Sequence, residues 1–213
     1  MKNSLKNMVL SLGLITLIGS AAVGYVYRLT QEPIANAKHA RVISTLATVL
    51  PPFEGQPVAD TVEVNGAKVV VFTALADGAV VGYAVESTTQ RGFGGEIRLM
   101  TGFTPAGEII RIEVLGHTET PGFGDKIESG KSDFAVQFRG RTPGGDFNMS
   151  VRRDGGDVDA ITASTVSSRA FIDAVQRAYD AFLLVTGRET AAAPSPEAAE
   201  SAATETITES EGL

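Results

Sequence analysis

Residues 8–27 form a run of twenty residues without a charged side chain. At about 1.5 Å per residue, a helix of this length matches the roughly 30 Å hydrocarbon core of a bilayer, which predicts one transmembrane helix. A secretory signal peptide is the competing reading, because Lys2 and Lys6 precede the run, but the apolar stretch is longer than such peptides use. The pattern favours an uncleaved anchor. Within the run Thr16, Ser20 and Gly24 recur every four residues, a small-residue stripe suited to a neighbouring helix. Residues 28–52 continue with helical spacing (Ile34, Val42, Ile43, Leu46, Val49, Leu50) until Pro51-Pro52 ends it, predicting a membrane-proximal helix.

The period then changes. Segments 58–64, 68–75 and 79–87 are rich in Val and are separated by Asn65-Gly66 and Asp77-Gly78, pairs that favour tight β-hairpins. Segments 96–103 and 108–115 flank the turn Thr104-Pro105-Ala106-Gly107 and predict a further hairpin. Residues 128–138 read as a short helix and 147–152 as another strand. From Thr165, apolar Phe171, Ala174, Val175, Ala178, Phe182 and Val185 fall on one helical face, and Gly187 stops the helix. Together these elements predict an α+β domain, an antiparallel sheet with packed helices, preceded by one transmembrane helix.

Composition refines this outline. The chain of 213 residues has a net charge of −7, yet after Arg188 there are six Glu and neither Lys nor Arg. Residues 189–213 therefore read as a disordered acidic tail, leaving a nearly neutral remainder without the basic face that nucleic-acid binding needs. There is no Cys, which excludes disulfides, iron–sulfur ligation by this chain and thiol nucleophiles. With only His39 besides His117, a zinc site is not expected, and the spacing of His117 and Glu119 is more simply read as a local salt bridge.

The candidate chemistry lies at the start of the last helix, in Asp159-Ala160-Ile161-Thr162-Ala163-Ser164-Thr165. A helix start presents unpaired N–H groups and the positive end of the helix dipole, a setting that favours phosphate, with Ser164 or Thr165 placed to cap it. Two glycine-rich loops accompany it: Arg91-Gly92-Phe93-Gly94-Gly95, and the stretch from His117 through Thr118, Glu119, Thr120, Pro121, Gly122, Phe123, Gly124 and Asp125 to Lys126. Such loops let a backbone approach a flat ligand, with Thr118 and Thr120 adding hydroxyls.

Asp-x-x-Thr-x-Ser-Thr resembles the flavinylation signature of FMN-binding domains in bacterial membrane electron-transport complexes. The loop at 117–124 is similar to the His-x-Glu-Thr-Pro-Gly-x-Gly segment of the G subunit of the Rnf complex and, more loosely, of the C subunit of the sodium-translocating NADH:quinone reductase. Phe123 stands where Leu is more usual. The resemblance implies FMN bound covalently by a phosphoester to Thr165. It also implies that Asp159, Thr162, Ala163, Ser164, His117, Glu119, Thr120, Gly122, Gly124 and Lys126 surround the site, with Lys126 against a reduced ring. No catalytic acid or base is expected.

The implied function is an electron-relay component of an ion-translocating oxidoreductase, in which transfer between ferredoxin and NAD is coupled to movement of Na⁺ or H⁺. The implied partners are the other membrane subunits of that complex, a flavin transferase using FAD and Mg²⁺, and membrane lipid. The expected layout is a cytoplasmic N-terminus at 1–7, a span in the inner membrane at 8–27, a membrane-proximal helix at 28–52, a periplasmic FMN-binding domain at 53–188 and the tail. The positive charges flanking the span do not decide its orientation, which rests on the very short N-terminus. The alternative within the class is the C subunit of the sodium-translocating NADH:quinone reductase, and the rival from another class is a membrane-anchored periplasmic binding or assembly module that uses Thr165 only as a helix cap.

Overall fold

The computed structural model describes residues 2–145 and 147–188, with side chains from residue 6 onward. The expected tail lies outside the described residues. The chain divides into two compact units, Met1–Ser44 and Thr45–Leu213.

The described residues of the first unit are helical and belong to α1 (Lys2–Val49), which continues through Pro33. It contains one helix long and apolar enough to cross a membrane, with a mean hydropathy of 2.0 in its most apolar window. The hydroxyls of the small-residue stripe bond within the helix: Thr16 donates to the carbonyls of Leu12 and Gly13, and Ser20 to those of Thr16 and Leu17. They are thus satisfied without a second helix, as an apolar solvent requires.

In the second unit the strands are β1 (Val58–Val64), β2 (Ala67–Ala76), β3 (Ala79–Thr89), β4 (Ile97–Phe103) and β5 (Ile109–His117). They form one antiparallel meander in chain order. Asn65-Gly66 and Asp77-Gly78 all have positive φ, the geometry of the tight hairpin turn that their sequence predicts. One sheet face carries Val69, Val71, Val85, Leu99, Phe103 and Ile112, buried with Phe171, Val175, Ala178 and Phe182 of α2 (Thr165–Thr186). Phe182 packs at 5.2 Å from Phe103 and 5.3 Å from Tyr83, and α2 ends at Gly187 in the left-handed region.

The second unit begins before residue 53, because the last turn of α1 belongs to it: Leu46, Val49 and Leu50 are buried. Gly102 makes this possible, since a Cβ there would lie 2.0 Å from the Val49 carbonyl oxygen.

Two predicted elements take other forms. Residues 128–138 are not one helix: 3-10 turns at Gly124–Ile127 and Phe134–Phe138 flank a bend. There the Ser132 hydroxyl donates to the Lys126 carbonyl and accepts the Phe134 N–H, replacing helical bonds with local ones. Residues 147–152 are not a ladder strand, since Phe147 and Val151 make only isolated bridges, to Pro143 and Val158. Asn148 exchanges bonds with Asp157, and the backbone of Gly156 packs against the Ser150 carbonyl, which closes this stretch into a loop.

Candidate functional site

The start of α2 is held from two sides. Ser168 donates its hydroxyl to the Ser164 carbonyl and accepts the Ile161 N–H, both at 3.0 Å, so the turn before the helix is tied to its first turn. Upstream, the Gln137 side chain accepts the Asp159 N–H and donates to the Asp159 carbonyl. Between these anchors Ala163 has a φ of 64°, a left-handed conformation that costs a residue with a Cβ about 1–2 kcal/mol. Ser164 occupies the N-cap position, but its side chain makes no capping bond, and Thr165 is the first helical residue. Thr165 is half-buried, and its hydroxyl has no hydrogen-bond partner among the described residues. The N–H groups of the first turn have no intrahelical acceptors.

A cavity of about 550 Å³ opens at this helix start, lined by Ala163, Ser164, Thr165, Val166 and Ser167 of α2 and its lead-in, and by Phe93, Glu119, Thr120, Phe123 and Gly124 of the two glycine-rich loops. Phe93 and Phe123 are 74% and 55% exposed, so two unpartnered aromatic rings stand at its mouth.

Glu119 forms the inner wall. Its carboxylate is buried and accepts the Ser167 hydroxyl at 2.6 Å and the Gly94 N–H at 3.2 Å. The glycines answer to this side chain: a Cβ on Gly92 or Gly124 would fall 2.3 Å from a Glu119 oxygen, and one on Gly94 would fall 2.0 Å from the Thr118 carbonyl oxygen. These three glycines therefore serve close packing of the protein on itself, a different reason from the ligand approach that the sequence suggests. Gly122 lies in open space at a φ of 81° and shapes the turn.

The remaining expected site residues fall elsewhere. Lys126, Asp159 and Thr162 line a neighbouring groove, with Asp159 paired to Arg152 at 2.8 Å. His117 and Glu119 do not pair through their side chains: His117 Nε2 meets Glu128 at 2.6 Å, while its Nδ1 accepts the Glu119 backbone N–H. Lys131 bridges Glu128 and Asp125, each at 3.0 Å. Hydrogen bonds from His117 and Lys131 hold the Glu128 carboxyl below its usual range, against its partial burial, and the Lys131 hydrogen bond does the same for Asp125. Sequence reasoning does not single out Val166, Ser167, Ser168 or Gln137. The signal for two of them is the Ser-Ser pair on the otherwise apolar face of α2.

Residues 92–180 match the model of the FMN-binding domain family, a segment that contains every residue lining the cavity. The chain is 36% identical over 180 residues to the G subunit of the ion-translocating oxidoreductase complex of Cereibacter sphaeroides, covering 81% of this chain and 82% of that protein. The chain belongs to this family of G subunits. Those of Shewanella piezotolerans and Pseudomonas aeruginosa are each 31% identical to it, over 83% and 85% of this chain and 88% and 89% of their own lengths. The cavity fits the cofactor of the family model: aromatic and apolar side chains suit an isoalloxazine ring, and the N–H groups of α2 suit a phosphate.

Proposed function

We propose that this chain carries FMN covalently, through a phosphoester between Thr165 Oγ1 and the FMN phosphate, and acts as an electron-relay component of an ion-translocating oxidoreductase complex in the bacterial inner membrane. The observation that carries this reading is the position of Thr165: first residue of α2, hydroxyl uncommitted, at the edge of a cavity with two exposed aromatic rings. Bound FMN supplies one- and two-electron redox chemistry. The protein's part is to hold it: α2 directs N–H groups at the phosphate, Ser168 and Gln137 fix the turn that presents Thr165, and Phe93 and Phe123 offer apolar surface to the ring.

The ester is made by a flavin transferase acting on FAD with Mg²⁺. The Thr165 hydroxyl attacks the phosphorus on the FMN side, AMP leaves, and the hydroxyl proton passes to a base of the transferase. The remaining subunits of the complex and the lipid around α1 are the other partners. The sheet domain faces the periplasm, and the coupled reaction is transfer between ferredoxin and NAD with movement of Na⁺ or H⁺. Asp159, on the groove beside the cavity, belongs to the surface that the transferase meets while Thr165 is modified.

Thr165→Val keeps the branched shape and removes the nucleophilic oxygen. The expected outcome is a folded, membrane-bound chain whose band shows no flavin fluorescence after denaturing electrophoresis, while Thr162→Val and Ser164→Ala remain fluorescent. A fluorescent Thr165→Val band overturns the assignment.

A further inference from the structure

Glu119 is a carboxylate 5% exposed in the wall of the cavity, and among the described residues it has no ion-pair partner. Its bonds are to one amide, Gly94 N–H, and one hydroxyl, that of Ser167 in the first turn of α2. Burial of an acidic side chain with only neutral partners is uncommon, because such side chains are kept out of low-dielectric surroundings unless paired. The chain makes specific room for it, since Gly92 and Gly124 both occupy positions where a Cβ would overlap its oxygens. A purely structural pin between the loops and α2 needs a hydrogen-bonding group of this shape but not its charge.

We propose that Glu119 sets the reduction potential of the flavin: its negative charge, held in the cavity wall, disfavours the addition of electrons to a ring bound in that cavity. The inference rests on the flavin reading above. An electron added to the ring brings negative charge toward Glu119, and in a partly buried site the repulsion is screened far less than in water. Phe93 and Phe123 contribute no charge to offset it, and Lys126 lines the other groove. The start of α2 offsets part of the carboxylate charge, but the FMN phosphate shares the same positive helix end.

The test is a spectroelectrochemical titration of the full-length chain, flavinylated in cells that produce the transferase and purified in detergent, with dithionite and redox mediators as reductant. Glu119→Gln keeps the shape and both hydrogen bonds, because its amide oxygen accepts from Gly94 and its NH₂ donates to Ser167. It is expected to favour the reduced flavin by about tenfold at fixed potential, about 59 mV for a one-electron couple, the scale of one charge about 10 Å away at an effective dielectric near 20. Glu119→Asp, which keeps the charge, stays near the wild-type potential, and Ser167→Ala, which removes a donor from the carboxylate, does not raise it. A flavinylated Glu119→Gln chain at the wild-type potential overturns the inference, as does a Glu119→Asp chain shifted as far as Glu119→Gln. If Glu119→Gln takes up no flavin, an upward shift in Ser167→Ala overturns it. An unlabelled wild-type band removes the flavin reading itself and is told apart before any titration begins.

Discussion

Gly124 shows at a single position how the cavity wall is assembled. A methyl group there meets Glu119 Oε2 at 2.3 Å, Ser167 Oγ at 2.7 Å and Glu119 Cβ at 2.9 Å, so Gly124→Ala must push apart the loop and the helix that bound the cavity. The expected loss of stability is about 1–3 kcal/mol in chemical denaturation, the usual cost of overpacking, accompanied by reduced flavin attachment. Gly122→Ala is the informative comparison, because it meets open space and suffers only the strain of its positive φ, about 1–2 kcal/mol, with the cavity wall undisturbed. The sequence makes the two glycine-rich loops conspicuous without revealing why they are glycine-rich. The reason lies in partners remote along the chain: Gly94 and Glu119 are 25 positions apart, and Glu119 and Ser167 are 48. Thr165 is legible because its signature is local. The same local logic draws Lys126 to the ring and Thr162 into the site, and the fold directs both to a separate groove.

Among the elements, those fixed by short-range chemistry are the readable ones. The meander follows from two hairpin turns with positive φ at each central residue and from Val-rich strands with one face to bury. The stretch from 118 to 133 is not readable, because side-chain bonds of Ser132, His117 and Lys131 replace a regular backbone pattern there. Those bonds carry a pH dependence. Glu128 and Asp125 are held below their usual range in the folded chain, so their contribution is complete above about pH 5 and is lost as pH falls through the lowered values, below about pH 4. Lys131 is raised, so its contribution is lost only as pH climbs above about 10.5. Amide hydrogen exchange, corrected for the intrinsic effect of pH, should therefore show residues 118–131 losing protection on acidification before β2 and β3 do. Simultaneous loss throughout the domain would mean that this network does not hold the segment independently.

For the whole molecule the testable statement is topological. A reporter fused after Leu213 is expected to give a periplasmic signal, active alkaline phosphatase and inactive cytoplasmic reporters; the reverse pattern would place the sheet domain on the wrong side for the proposed attachment. The span itself is legible as an uncharged run, whereas the junction at Leu46, Val49 and Leu50 is not, since helical spacing alone does not show that a sheet glycine, Gly102, receives the helix end.

The meander and the cavity also differ in when they can arise. Each hairpin of the sheet pairs strands adjacent in the chain, whereas the cavity exists only once α2 has docked and Ser167 has met Glu119 across 48 positions. A transferase that requires Thr165 presented at a formed helix start will therefore pass over chains that are incomplete or misfolded. On the proposed attachment, flavin content then serves as a built-in certificate of maturation: with transferase and FAD in excess, the labelled fraction follows how many chains reached the native state, and a slow-folding variant is expected to be under-labelled early after synthesis even when its final structure is intact.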